Sequence, residues 1–365
     1  MAGSTFGNIF KITTWGESHG KGVGVVIDGC PAGIALDEAD IQKMLNRRRP
    51  GQHDYTTARS ESDTVTILSG VFEGKTTGTP ISLMVHNEDH RSHDYGEIAS
   101  YYRPGHADLT FDTKYGFRDY RGGGRSSGRE TIGRVAAGAI AVKLLATLGI
   151  SICSYTKAIG SVSVTSFDKE AINNNPLCMP DANAAKKARA FLDECMAKGD
   201  SAGGIVECIV SNLPAGLGEP VFEKLDANLA KAIFSIGAVK GFEIGSGMSA
   251  ASAMGTTHND ALKSNLDGTI TKTSNNAGGI LGGISDGSDL ILRAAFKPTP
   301  SISATQSTVN KDGENIDINI NGRHDPIIAP RAVVVVEAMT ALVLVDALLM
   351  NMGSRIEYLE NIYKK

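Results

Sequence analysis

No two cysteines stand at CxxC spacing, and their number is odd: Cys30, Cys153, Cys178, Cys195 and Cys208. That excludes a complete disulfide frame and the usual zinc patterns, and it fits unpaired core thiols in a reducing compartment. Positive charge is not in excess, since 36 Lys plus Arg stand against 40 Asp plus Glu for a net charge of −4. A chain so balanced is a poor sequence-independent binder of nucleic acid. The amino terminus lacks the basic-then-apolar pattern of a signal peptide. The longest apolar run, Ala332 to Met352, carries Glu337 and Asp346. Both would be costly in lipid, so the run reads as a buried helix of a protein with no membrane partner. The expected location is the cytoplasm. No tandem repeat or low-complexity linker interrupts the 365 residues, so one α+β unit spanning 1–365 is expected, not two separable domains.

What is present is unevenly placed. Of 16 arginines, 11 lie between Arg47 and Arg134. An acidic chain with one arginine-rich segment implies a small anionic ligand, against the alternative of a salt-bridged surface.

Lys21 to Asp28 reads as a strand. Asp37 to Arg48 reads as a helix with Asp37 as N-cap, stopped by Pro50-Gly51. Thr64 to Val71, Ile81 to Val85, Gly204 to Val210, Leu290 to Phe296 and Ile316 to Ile320 read as strands. Ala182 to Ala197, Glu219 to Phe234 and Arg331 to Met352 read as helices. Asn87 to Arg125 has little periodicity but many His, Asp, Arg, Tyr and Gly residues, which marks a long functional segment. Ser127-Gly128-Arg129-Glu130 fits a capping box, followed by Ile132, Val135, Ala136, Ala139 and Ile140 at helical spacing, with Gly149 closing the helix.

Arg121 to Arg129 is the strongest local signal. Its three consecutive glycines let the backbone approach a ligand, and Ser126 and Ser127 sit where the helix N-terminus offers free N–H groups. Arg125 and Arg129 add forked donors for phosphate or carboxylate. No Gly-Lys-Ser/Thr follows, so this is not a Walker loop. Gly16-Glu17-Ser18-His19-Gly20, Arg103-Pro104-Gly105-His106-Ala107-Asp108 and Gly322-Arg323-His324-Asp325-Pro326 each place a proton-transfer group in a loop. Asn275 to Gly283 is a second glycine-rich loop, and Lys297-Pro298-Thr299-Pro300-Ser301 adds a cation and hydroxyls at a strand end. His86, His90, His93 and Asp94 match no familiar zinc spacing, and no metal is expected. Composition and spacing therefore reach an enzyme with two anionic ligands, histidines and a carboxylate. They leave open a metal-using phosphatase or phosphotransferase and a non-catalytic binder of a flavin or phosphometabolite.

At these motifs, together with Arg47-Arg48-Arg49-Pro50-Gly51, the sequence closely resembles the chorismate synthase family, in family order from residue 7 to about residue 350. The resemblance implies a fold with a helical core sandwiched between antiparallel β-sheets, and a homotetramer. It implies an anti 1,4-elimination of phosphate from 5-enolpyruvylshikimate 3-phosphate to give chorismate. Reduced FMN would be required but not consumed, with NADPH involved only through a separate flavin reductase. Carried over by motif, His19 keeps the flavin in its reactive protonation state. His106 protonates or hydrogen-bonds the departing phosphate, and Asp325 assists proton removal. Arg48, Arg129 and Arg323 hold the substrate's phosphate and carboxylates. Arg125, Ser126, Ser127, Gly237, Ala238, Asn275, Gly282, Lys297, Pro298, Thr299, Pro300, Ser301 and Arg323 line the flavin site. Three positions depart from the family pattern: Asp54 stands where arginine is frequent, Gly128 where alanine is usual, and Gly237-Ala238 where some members have Asn-Ala. The absence of an appended reductase domain implies a monofunctional enzyme.

Overall fold

Asp37 starts the first helix as expected. Its side chain accepts from the Asp40 amide while the Asp40 side chain accepts from the Asp37 amide, a complete capping box. The computed structural model describes residues 3–51, 55, 61–87, 97–121, 123–320 and 325–364. Its helices in chain order are α1 (Glu38–Arg48), α2 (Asp108–Tyr115), α3 (Thr131–Thr147), α4 (Ala182–Ala197), α5 (Leu225–Phe234), α6 (Gly255–His258), α7 (Ala329–Asn351) and α8 (Ile356–Tyr363).

Two five-stranded antiparallel sheets carry the fold. The first runs in the order Thr5–Phe6, Lys11–Gly16, Gly22–Asp28, Ile81–His86, Val65–Ser69. The second runs Val239–Ile244, Leu290–Phe296, Gly204–Ser211, Ser151–Ile159, Val162–Ser163. Between them lie α3, against the first sheet, and α7, against the second. This is the expected sandwich, and it explains why α3 and α7 are apolar all round. A helix covered on every side needs no polar stripe. The expected face of α3 is buried, and so are Gly133, Ala137, Gly138 and Ala141 on its other sides. At Gly138 the two helices come so close that an added Cβ would lie 2.3 Å from the Cβ of Ala338.

The two acids inside α7 are both paired. Glu337 accepts two bonds from Arg47, at 3.0 and 2.8 Å. Asp346 accepts from the amides of Asn8, Ile9 and Phe10, pinning the turn between the first two strands to α7.

Three expectations are corrected. Ser127 does cap, but it accepts from the Arg129 amide at the start of a 3-10 turn, Gly128–Glu130, and α3 proper begins at Thr131. Glu130 does not close a capping box, because its carboxylate is taken by Thr14 at 2.8 Å and Arg134 at 2.7 Å. The helix expected from Glu219 begins only at Leu225, since Val221 has φ +68° and breaks the helical path. Within the segment read as irregular, Asp108–Tyr115 is a helix ended by Gly116 at φ +80°.

Candidate active site

The Gly16–Gly20 loop joins the second and third strands of the first sheet. Its turn closes through the Gly20 amide donating to the Glu17 carbonyl at 3.1 Å. His19 is buried, with Nδ1 3.1 Å from the Ser18 hydroxyl. The Asp119 carboxylate is held below its ordinary range by Arg121 first, with a small contribution from His19. On the other side Asn87 donates to the Glu17 and Gly20 carbonyls at 2.9 and 2.8 Å, and accepts from Arg129 Nε at 2.8 Å.

Arg129 leads into a buried cluster. Arg48, at the end of α1, meets Asp63 at 2.6 Å. Arg129 meets Asp63 and Glu61, both at 3.2 Å. Arg48 also donates to the Gly128 carbonyl at 3.2 Å, which ties α1 to the arginine-rich loop. From the first turn of α7, Arg331 donates to the Arg48 carbonyl at 3.3 Å and to Asp325 at 2.5 Å. Burial pushes the Arg48 guanidinium down to about 10, against the pull of Asp63, so it stays charged near neutral pH. Two buried N–H donors, Arg48 Nε and Arg129 Nη2, have no hydrogen-bond partner among the described residues. Orphaned buried donors are costly and call for an acceptor.

His106 lies in a loop closed by the Arg103–Asp108 ion pair at 2.8 Å. Nδ1 is 3.1 Å from the Pro104 carbonyl and Nε2 is 2.9 Å from Ser301 Oγ. A carbonyl only accepts, so the proton sits on Nδ1, and Nε2 accepts from the Ser301 hydroxyl. Burial, helped by Arg103, pushes the imidazole down to about 4, leaving it neutral near pH 7. Gly105 has φ +70°, and a Cβ there would sit 2.8 Å from Pro300 Cβ, so only glycine lets the two loops meet. Lys297 Nζ donates to the Gly105 carbonyl at 2.6 Å, and the Lys297 amide donates to Ala238 at 2.9 Å. The Ala202 amide donates to Pro326 and the Ser201 hydroxyl to Thr299, which sets the Asp325 segment beside this loop.

A family model described as chorismate synthase matches residues 10–349. The chorismate synthase of Agathobacter rectalis is 66% identical over 367 residues, all of both chains. That of Methanosarcina mazei is 57% identical, covering 96% of this chain and 97% of its own. A crystal structure of a chorismate synthase superposes with a TM-score of 0.77 at 32% identity, covering 98% of this chain and 97% of that one.

The chain belongs to the chorismate synthase family.

It is therefore a lyase of aromatic amino acid biosynthesis, eliminating phosphate from 5-enolpyruvylshikimate 3-phosphate with reduced FMN. Several residues expected at the flavin of a chorismate synthase are gathered: Gly237 and Ala238 abut Lys297, and the 297–301 loop abuts His106. These residues fit a flavin. Thr299 Oγ1 is buried without a hydrogen-bond partner among the described residues, and a Cβ added at Gly124, Gly128 or Gly237 would meet open space. Arg125 is instead engaged with the first sheet, donating to the Gly16 and Thr14 carbonyls at 3.0 and 3.2 Å. Ser126 donates to the Gly123 carbonyl at 2.7 Å. Asn275 and Gly282 are not brought to the same place. The Gly283 carbonyl receives the Leu225 amide at the start of α5, whereas Gly237 follows its end, roughly 15 Å away at 1.5 Å per residue. Asn275 holds its own loop, donating to Asp289 and accepting from Gly279.

Arg323, His324, Asp54, His90, His93 and Asp94 lie outside the described residues. No group of three or more His, Cys, Asp or Glu side chains could hold a metal among the described residues. A small open cleft lined by Phe6, Lys231, Asp346 and Asn351 among others lies elsewhere. Asp346 is 15 residues along α7 from Arg331, roughly 22 Å. Sequence reasoning missed Glu61, Asp63, Asn87 and Arg331. Arg331 alone had a visible signal, as the one cation in an apolar run.

Proposed function

We propose that the elimination takes place between the Arg48–Arg129 cluster and His106. The observation that carries this is the pair of buried guanidinium donors without a partner, Arg48 Nε and Arg129 Nη2, beside nitrogens of the same groups that Asp63, Glu61, Asn87 and the Gly128 carbonyl already occupy. Arg48, Arg129 and Arg323 hold the phosphate and carboxylates of the substrate, and Arg331 orients Asp325. A leaving phosphate needs positive charge and a proton donor. His106 is neutral in the free protein, and an arriving phosphate raises its affinity for a proton by placing negative charge beside it. Asp325 is the chain's own proton acceptor.

Reduced FMN, when bound, supplies an electron transiently to the substrate. Lys297, Pro298, Thr299, Pro300, Ser301, Gly237 and Ala238 would hold it on one side and Arg125, Ser126 and Ser127 on another, while Asn275 and Gly282, at the far end of α5, stand apart from this group. His19, buried beside Ser18, sets its protonation. The flavin arrives reduced by a separate NADPH-dependent reductase. The chain acts as one domain in the cytoplasm, a reading supported by the one core cluster reaching from Phe10 to Val345 and by five free cysteines. It works as a homotetramer. Exposed apolar side chains on one excursion, Met248, Met254, Leu262, Leu266 and Ile270, support self-association.

The test is anaerobic turnover of 5-enolpyruvylshikimate 3-phosphate with dithionite-reduced FMN. Chorismate and phosphate should appear in equal amounts and should resist a chelator. Phosphate without chorismate, or loss of turnover on chelation, would instead favour a phosphatase.

A further inference from the structure

The geometry points to Asn87 as a positioning residue that locks His19 and Arg129 to one another. The inference rests on the placement of both residues in the active site. Both hydrogens of its carboxamide and its oxygen are engaged. The amide nitrogen donates to the Glu17 and Gly20 carbonyls, which bracket His19 in the chain, and the oxygen accepts from Arg129 Nε. Reversing the amide would set its oxygen against two carbonyls and its NH2 against a guanidinium N–H, so chemistry fixes the orientation. The backbone is fixed as well. Asn87 follows directly on the strand Ile81–His86, and its amide donates to the Lys21 carbonyl at 3.2 Å.

The consequence for Arg129 is directional. Asn87 occupies Nε, Glu61 and Asp63 occupy Nη1, and Nη2 is left for a ligand. The consequence for His19 is a loop tied to the first sheet, because the carbonyls of Glu17 and Gly20, on either side of His19 in the chain, are bonded to one side chain. One residue therefore sets the distance between the flavin-side histidine and the substrate-side arginine.

Three variants test this. Asn87→Leu removes both sets of bonds. Asn87→Asp keeps the acceptor for Arg129 but turns a carboxylate toward two carbonyl oxygens. The third, Asn87→Asp combined with His19→Ala, asks whether the effect passes through His19. In the ligand-free protein, diethyl pyrocarbonate labelling read by peptide mass spectrometry should show His19 of both single variants reacting about 5-fold faster or more, with His258 unchanged. In turnover, Asn87→Asp should lower kcat about 10-fold or more while KM stays within about 3-fold, and Asn87→Leu should raise KM as well. Added to His19→Ala, Asn87→Asp should cost less than about 2-fold further. Unchanged His19 labelling in both single variants overturns the proposal, and so do fully multiplicative losses in the double variant. If His19→Ala itself keeps wild-type turnover, the catalytic reading of His19 fails, while the labelling result still decides whether Asn87 fixes the loop.

Discussion

Asp63→Asn removes one charge from the centre of the arginine cluster and little else. Asp63 has φ +46°, a conformation that Asn tolerates as readily as Asp, so the substitution adds no backbone strain. The Asn oxygen can still accept from Arg48. What is lost is the balance of two guanidiniums, Arg48 and Arg129, by two carboxylates, Asp63 and Glu61. Asp63 is 1% exposed and Arg48 2%. Removing one partner of so deeply buried a pair typically costs about 3–5 kcal/mol. With an unfolding entropy of about 2.1 cal/mol/K per residue over 365 residues, that lowers Tm by roughly 4–7 °C. The unbalanced charge should also draw in an anion. Inorganic phosphate at about ten times its Kd restores roughly 1.4 kcal/mol by mass action. The assay is thermal unfolding followed by circular dichroism and by the single tryptophan, Trp15, in the first sheet, with and without phosphate. A fall in Tm below ~1 °C, or equal phosphate stabilisation of both proteins, would refute the charge-balance argument.

Three further outcomes follow. His106 has a folded value near 4 against an ordinary 6.5, so the unfolded chain binds the proton first. Its contribution to stability is present above pH 6.5 and is lost as pH falls toward 4, up to about 3 kcal/mol. His106→Gln should flatten that part of the stability profile, and parallel profiles would contradict it. Gly138→Ala forces α3 and α7 apart at Ala338 and should cost about 1–3 kcal/mol despite alanine's better helix propensity; an unchanged or higher Tm would contradict it. Asp325→Asn should keep substrate binding, measured by equilibrium dialysis, while kcat falls roughly 100-fold or more, and near-normal kcat would move the proton acceptor elsewhere.

The framework was legible where one local rule acted alone. The Asp37 cap, the Ala182–Ala197 helix and the alternating strand Leu290–Phe296 were all marked by periodicity and end residues. It was not legible where a side chain had a better partner far away. Glu130 matches a capping box in sequence but finds Thr14 and Arg134 in space. Strand Ser151–Ile159 went unread because Tyr155 and Ala158 are buried on opposite registers, so its pattern shows no clean alternation. The loops carrying His19, His106 and the arginine-rich turn were visible as glycine-flanked polar motifs. The residues that orient them were not. Asp63 and Asn87 look like ordinary loop and strand-end polar residues, and only tertiary packing turns one toward two arginines and the other toward Arg129 and the backbone of the His19 loop.

The most direct test of the account is a crystal structure with oxidised FMN and 5-enolpyruvylshikimate 3-phosphate bound. A phosphate or carboxylate oxygen should lie within ~3.5 Å of Arg48 Nε or Arg129 Nη2, with the flavin against the Lys297–Ser301 loop. Substrate bound instead in the cleft beside Phe6 and Asp346, with both arginine donors still unpartnered, would contradict it.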